Sequence, residues 1–302
     1  MPTARSSGYY RWERAVYLRT MNEIQTLAVV GAGTMGLGIA QLGVQHGLPT
    51  ILFDLSSTAL EKAQAAIAAG LGKLVEKNKL TVEARQAALA RLTLTTELAD
   101  VRADCIIEAV VERLDVKHQL FKDLAALNGS ATILASNTSS LPITQLAAPV
   151  PGPERVVGLH FFNPAPLMPL VEVISGVATA PAVADAVDAL ARRLGKTPVR
   201  AADSPGFIVN RVARHYYVES LKVVEESLAP FEVVDELLEA SGFKMGPFRL
   251  MDLIGVDTNF AVTSAMFASF YQDGKFRPSR IQQQKVDAGH YGRKTGRGFY
   301  TY

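Results

Sequence analysis

From Thr26 onward, short apolar runs alternate with longer stretches whose apolar positions recur at helical spacing. TLAVV (26–30) is a fully apolar run of strand length, and a helical stretch follows it to about His46, closed by Gly47. TILFD (50–54) is a second such run, ending in an acid. Long Ala- and Leu-rich helical stretches come next, with Thr81 placed to cap VEARQAALARL. CIIEAVVE (105–112) and ATILASNTSS (131–140) read as two further buried strands, with a helix from about 114 to 127 between them. RVVGLHFF (155–162), LVEVIS (170–175) and TPVRAAD (197–203) complete the strands, and a helix at about 181–194 precedes the last. A strand buried on both faces shows no alternation, so continuous apolar strands between helices predict an α/β domain with a mostly parallel, twice-covered sheet. After SPG (204–206) only helical periods remain, over 207–226, 231–241, about 258–272 and about 278–288. The pattern predicts an α/β domain over 21–204 and an all-α domain over 205–302.

The first 20 residues, MPTARSSGYYRWERAVYLRT, carry four arginines, one acid and no clean period. Such an acid-poor, Arg- and Ser-containing start resembles a mitochondrial presequence. A disordered leader, or residues upstream of a true start at Met21, fits equally well, because Met21 opens the periodic part of the chain. Residues 1–20 are expected to lie outside the fold.

Composition narrows the function. The chain has 302 residues, 48% of them hydrophobic and 20% charged, with a formal net charge of +2. This balance argues against a nucleic-acid or membrane-surface partner. No apolar run approaches the roughly 18 residues of a membrane helix. The lone cysteine, Cys105, excludes an internal disulfide framework, which points to a reducing compartment. It reads as a small buried hydrophobe.

The segment VVGAGTMG places Gly31, Gly33 and Gly36 in GxGxxG spacing. The spacing alone is a weak signal. Here it follows a strand, opens a helix, and is followed by a strand ending in Asp54, which makes it the dinucleotide-binding fingerprint of a Rossmann-type domain. Gly31 permits the tight turn, Gly33 lets the backbone approach a pyrophosphate at the positive helix N-terminus, and Gly36 allows close helix–strand packing. Thr34 and Met35 complete the loop beside the cofactor, and Asp54 is placed to accept hydrogen bonds from the adenosine ribose. FAD shares the fingerprint, but no second flavin motif is present, so NAD is the expected cofactor.

Ligands bind outside the C-terminal ends of parallel strands. EAVVERLDVKHQLF puts Glu108, Glu112 and Lys117 at one such end and on the helix after it. ASNTSSL puts Asn137, Thr138, Ser139 and Ser140 at another, where helix capping is as good a reading as ligand contact. His160 and Glu172 stand on two apolar strands joined by the proline-rich NPAPLMP, a connection able to return the chain so that the two face each other. A carboxylate on one imidazole nitrogen fixes the tautomer and stabilises the imidazolium formed when the other takes a proton. An enzyme that oxidises an alcohol needs such a base. The other histidines, His46, His118, His215 and His290, form no metal-like cluster with Cys105 or with carboxylate pairs, and no metal site is expected.

These motifs, with DSPGFIVNR, GPFRLMDLIGVD and GRKTGRGFY, resemble the L-3-hydroxyacyl-CoA dehydrogenase family, especially its short bacterial 3-hydroxybutyryl-CoA dehydrogenases, from about Glu23 to Tyr302. The resemblance implies that His160 is the general base and Glu172 its partner. It implies that Ser139 and Asn210 hydrogen-bond the reacting oxygens of an acyl-CoA substrate, and that Ser139, Asn163, Glu112, Lys117 and Lys294 lie along the NAD site. It also implies an active site in the cleft between domains and a homodimer formed through the helical domain. A bacterial cytoplasmic location follows, or the mitochondrial matrix if the leader is a presequence. Of the family's two CoA-contacting residues, the lysine matches Lys77, but the serine position holds Gly70. That departure keeps open a same-fold NAD dehydrogenase of a non-CoA hydroxy acid, as in the lambda-crystallin-like gulonate 3-dehydrogenases. A non-catalytic NAD-binding protein is a remote alternative; it predicts loss of the dyad or of Ser139 and Asn210, all of which are present.

Overall fold

The computed structural model describes residues 23–302. The leader expected over 1–20 lies outside the described residues. The chain divides into two compact units after Asp203.

The first unit runs β1 (Leu27–Val30), α1 (Thr34–Gln45), β2 (Thr50–Phe53), α2 (Ser57–Glu76), α3 (Val82–Leu89), β3 (Leu92–Thr95), β4 (Cys105–Glu108), α4 (Leu114–Leu127), β5 (Ile133–Ser136), α5 (Ile143–Ala147), β6 (Val156–Phe161), β7 (Leu170–Ser175), α6 (Pro181–Arg193) and β8 (Thr197–Ala202). The strands form one sheet in the order β3-β2-β1-β4-β5-β6-β7-β8. Every neighbouring pair is parallel except β6 with β7. β1, β4, β5 and β6 are buried along their whole length, which is why their sequences read as unbroken apolar runs. Cys105 at the start of β4 is fully buried; burial, then the charge of Asp104, pushes its thiol up to about 12, and it behaves as a small core hydrophobe.

β3 is an addition to the strands expected from the sequence, which pass from the Ala-rich helical region directly to β4. LTLT is short and only half buried, at the edge of the sheet, so it lacks the apolar run that marks the central strands. Thr81 does cap α3, its hydroxyl accepting from the Ala84 amide at 3.1 Å. The strands read over 105–112 and 131–140 stop at Glu108 and Ser136, so the polar residues after them lie on loops at the C-terminal edge of the sheet.

The second unit holds α7 (Val209–Glu225), α8 (Phe231–Ala240), α9 (Pro247–Ile254), α10 (Val256–Ser269) and α11 (Arg280–Asp287). Tyr217, Leu221, Phe248, Met251, Val256 and Phe299 form its core. α9 was missed as a separate helix. Its start is specified by Pro247 at the first helical position and by the buried Asp235 carboxylate, which accepts from the Phe248 and Arg249 amides at 2.9 and 3.0 Å. Among the described residues of this unit the β-structure consists of isolated bridges at Gly292, Arg297 and Thr301. No described helix is long and apolar enough to cross a membrane.

Two glycines of the first loop are required by space. Gly31 has φ +105°, and a Cβ there would stand 2.7 Å from the Ala109 carbonyl oxygen; a Cβ on Gly36 would stand 1.7 Å from the Gly31 carbonyl oxygen. Helix α1 thus leans directly on the turn that starts it. Gly36→Ala is expected to push α1 off that turn, to cost about 1–3 kcal/mol as an overpacked contact, and to weaken NADH binding with it. Urea unfolding and NADH fluorescence titration read both; unchanged stability together with unchanged NADH affinity would refute the packing role.

Candidate active site

The C-terminal ends of β1, β2 and β4 open on a cleft of about 720 Å³ lined by Val30, Gly31, Gly33, Asp54, Val110 and Leu120 among others. Asp54 is oriented by backbone, its Oδ2 accepting from the Ala32 amide at 2.8 Å and its Oδ1 from the Ser56 amide at 2.9 Å. Gly33 is the N-cap of α1, with no side-chain cap and no acid in the first turn. The helix therefore presents uncompensated amides and its positive end. A Cβ on Gly33 would meet nothing within 4 Å, so the backbone there faces open space. Thr34 begins the helix, and the half-buried Met35 packs on the sheet core. An apolar cleft, one ribose-length carboxylate and a bare helix N-terminus are the features NAD requires, and the residues present fit it.

The strand pair that breaks the parallel pattern carries the second group. β6 and β7 run antiparallel with His160 directly opposite Glu172. Directly opposed residues project from the same face of a sheet. His160 Nδ1 lies 2.8 Å from Glu172 Oε2, with His160 6% and Glu172 0% exposed. A carboxylate oxygen only accepts, so Nδ1 carries the hydrogen and donates it. The Phe162 ring stands 4.5 Å from the imidazole. Asn163, exposed, stands in the connection to β7. That connection is held by the buried Lys196, whose ammonium donates to the carbonyls of Ala165 at 2.6 Å and Met168 at 2.9 Å.

A buried ionic chain holds the loop between β5 and α5. Lys117 Nζ pairs with Glu108 and Glu112, each at 2.8 Å. Glu108 also accepts from Ser136 Oγ at 2.7 Å and from the Val110 amide at 2.7 Å. Glu112 Oε1 accepts from the Thr138 hydroxyl, from the Ser139 amide at 3.1 Å and from Ser140 Oγ at 3.1 Å. Asn137 Oδ1 accepts from the Phe161 amide at 2.9 Å, which ties this loop to the residue after His160. Burial acts to raise the Glu112 carboxyl, but the Lys117 charge and the hydrogen bonds from Lys117, Thr138 and Ser140 together outweigh it and hold the group below the usual Glu value.

The structure thus gathers His160 with Glu172, and Ser139 with Glu112 and Lys117. Lys117 is 1% exposed and pairs with both carboxylates, so through Glu112 its charge supports the loop that carries Ser139. Lys77 is the exposed residue that ends α2. Gly70 on α2 lies against α1: a Cβ there would fall 2.4 Å from Gln41 Oε1, so a side chain at 70 would require the Gln41 amide to move. Asn210 stands in the first turn of α7, and Lys294 pairs with Asp257 at 2.6 Å, both within the helical unit. Lys196 and Asp203 were not singled out from sequence; the first sits in an ordinary-looking turn and the second at a strand end. Neither stretch carries a local signal of its long-range bonds.

Glu112 gives a pH signature. A carboxyl held below its unfolded value of about 4.3 adds stability that is fully present above that value and is lost as pH falls through the lower folded one. Wild type should therefore exceed Glu112→Gln in unfolding free energy by a constant margin above about pH 5, and the margin should shrink below about pH 4. Urea melts across pH 3–7 measure this. A margin that grows on acidification would contradict the ionic role.

Two sequence profiles cover almost the whole described chain: the 3-hydroxyacyl-CoA dehydrogenase, NAD binding domain over residues 26–204, and the 3-hydroxyacyl-CoA dehydrogenase, C-terminal domain over residues 206–302. A 3-hydroxyadipyl-CoA dehydrogenase of Escherichia coli is 49% identical over 284 residues, 93% of this chain and 60% of that protein, so the chain spans only part of that relative's length. A 3-hydroxybutyryl-CoA dehydrogenase of Mycobacterium tuberculosis is 40% identical over 92% of this chain and 99% of its own. The crystal structure of an (S)-3-hydroxybutyryl-CoA dehydrogenase from Ralstonia eutropha superposes with a TM-score of 0.90 at 42% identity, covering 93% of this chain and 99% of that one. With the two profiles matching residues 26–204 and 206–302 and relatives of nearly equal length at this identity, the chain belongs to the 3-hydroxyacyl-CoA dehydrogenase family.

Proposed function

We propose that the chain oxidises a short-chain L-3-hydroxyacyl-CoA, and reduces the 3-ketoacyl-CoA in reverse, with His160 and Glu172 as a general-base dyad. The observation that carries this reading is the 2.8 Å bond between His160 Nδ1 and a fully buried Glu172. With Nδ1 holding its hydrogen on the carboxylate, Nε2 is the nitrogen that takes the proton of the 3-hydroxyl. The resulting imidazolium keeps Glu172 as its counter-charge, and in reverse it returns the proton to the forming alkoxide. When bound, NAD accepts the hydride from C3. Gly31, Gly33 and Gly36 shape the turn for its pyrophosphate, Thr34 and Met35 flank it, and Asp54 meets the adenosine ribose. Ser139 and Asn210 hydrogen-bond the reacting oxygens, Glu112, Lys117, Asn163 and Lys294 lie along the NAD site, and Lys77 meets the CoA portion. The mostly apolar FFNPAPLMPLVEVI stretch favours an acyl thioester over a sugar acid.

A second acyl group has specific support: the relative that is 49% identical bears the name 3-hydroxyadipyl-CoA dehydrogenase. One set of assays separates the readings. NADH oxidation is followed with acetoacetyl-CoA, 3-oxoadipyl-CoA, acetoacetate and a gulonate-type acid, for wild type and dyad variants. Turnover of a thioester is expected, and of the free acids not. His160→Gln should lower kcat by about 10²–10⁴-fold with little change in NADH binding. Glu172→Gln should be severe too, and the double variant far from additive, because the two act as one unit. If His160→Gln kept more than about a third of wild-type kcat with chemistry rate-limiting, the base assignment would fall; turnover of free acids alone would sink the thioester reading.

We also propose that the helical unit forms a homodimer. Its support is the exposed apolar side chains Val233 and Leu237, one turn apart on α8, with Phe243, Leu253 and Ile254 on the same unit. Light scattering after size exclusion should give twice the chain mass, and Leu237→Asp should shift the population toward monomer with the melting temperature of the monomer preserved. A wild-type monomer at micromolar concentration would overturn it.

A further inference from the structure

Asp203 is the last residue of the first unit, one position after β8. Its side chain reaches back sixty positions in the chain. Oδ1 accepts from the Ile143 amide at 2.9 Å and Oδ2 from the Thr144 amide at 2.7 Å. These are the first two amides of α5, a helix whose own N-cap, Pro142, supplies no side-chain acceptor. A free helix N-terminus leaves such donors unsatisfied, and a carboxylate there makes charge-assisted bonds along a favourable dipole. The short α5 is therefore started by a distant carboxylate.

What precedes α5 is the loop 137–142 that carries Ser139. Its front is held by Glu112, through Thr138, Ser139 and Ser140, and by the Phe161 amide on Asn137. Its back end is held by the Thr138 hydroxyl, which accepts from the Ser140 and Leu141 amides at 3.2 and 2.9 Å, then by the Asp203 clamp and the buried Ile143. The chain that follows Asp203 is equally constrained. The Phe207 amide bonds to the Ser204 carbonyl at 2.8 Å, and both Gly206 (φ +73°) and Phe207 (φ +49°) are left-handed, a conformation a phenylalanine adopts only when its surroundings enforce it. Asn210 follows three residues later. One carboxylate thus fixes the start of α5 and, with it, the end of the loop that carries Ser139.

We infer that Asp203 is a positioning residue of the reaction, acting through Ser139 by fixing the backbone of the loop that carries it. The inference rests on the proposed contact of Ser139 with the substrate's reacting oxygen. Asparagine at 203 keeps the shape but offers one acceptor and turns an N–H toward the other amide, so it breaks half the clamp.

The test is a double-mutant cycle on the full chain with acetoacetyl-CoA and NADH. Asp203→Asn should lower kcat about tenfold, a coupling of the order found between residues that share a network, while NADH affinity by fluorescence stays within about twofold. In a Ser139→Ala background the same substitution should change kcat by less than about twofold. Asp203→Glu, which keeps the charge on an arm one methylene longer, gives the same reading where Asp203→Asn does not fold, and a thermal melt identifies that case. Equal losses in the two backgrounds, or full kcat in folded Asp203→Asn or Asp203→Glu, would overturn the positioning role. Loss of folding in both variants would likewise assign Asp203 to stability alone. A Ser139→Ala enzyme with wild-type kcat would instead overturn the substrate contact on which the inference stands.

Discussion

Pairing β6 against β7 in antiparallel register is the constraint on which the site depends. His160 and Glu172 belong to the same rung of the ladder, so hydrogen bonds of the backbone decide that their side chains meet. A slip of one residue would send Glu172 to the other face of the sheet. The neighbours of the pair are locked by volume: a Cβ on Gly158, which pairs with Ile174, would stand 2.8 Å from that residue's Cβ. The register is therefore held by packing, and the pair inherits its geometry from it. That matters because an ionisable pair this deep gains little stability in itself; desolvation offsets most of the attraction, and removing one partner leaves a buried group uncompensated. Its retention in an otherwise apolar pair of strands argues for chemistry.

The second buried charge system works differently. Glu108 and Lys117 are both almost wholly enclosed, and Glu112 is shared between Lys117 and the Ser139 loop. Two carboxylates around one ammonium would leave excess negative charge in a poor dielectric. Hydrogen bonds from Ser136 and from the Val110 and Ser139 amides, together with the Thr138 and Ser140 hydroxyls, spread that charge over neutral donors. The network links β4, β5 and α4 at the edge of the sheet where the cofactor cleft opens. Rigidity at that edge is what a positioned hydroxyl requires, since small displacements of reacting groups are costly in rate.

Much of this was legible in the chain. Strands buried on both faces announce themselves as unbroken apolar runs, and the central strands were read within a few residues. β3 escaped because an edge strand half in solvent has neither the run nor a long alternation. α9 escaped because the carboxylate that starts it, Asp235, sits on the preceding helix. The facing of His160 and Glu172 was legible because two strands joined by a short proline-rich connection admit few geometries. The partners of Lys117 within nine residues were within reach of sequence; the bonds of Asp203 and Lys196 were not, since each joins segments with no common period or motif. Local signals report local structure, and the supports of a loop are mostly nonlocal.

Across the first unit one device recurs. Asp54 accepts from the Ala32 and Ser56 amides, Asp104 from those of Gln25 and Thr26, Glu108 from Val110, Glu112 from Ser139 and Asp203 from Ile143 and Thr144. Loops at a sheet edge have no ladder to satisfy their amides, and an amide left bare inside a protein costs about as much as a lost hydrogen bond. A carboxylate is suited to the task because it offers several acceptor sites and its bonds are charge-assisted. The consequence reaches the cofactor. A dinucleotide brings its own negative phosphates, and acids clustered near its cleft would repel them unless their charge were already engaged. Glu108, Glu112 and Asp203 are each turned onto backbone amides or Lys117, while the N-terminus of α1 carries no acid in its first turn. The N-terminus of α1 thus has neither a side-chain cap nor an acid in its first turn, which leaves its amides suited to an anionic ligand.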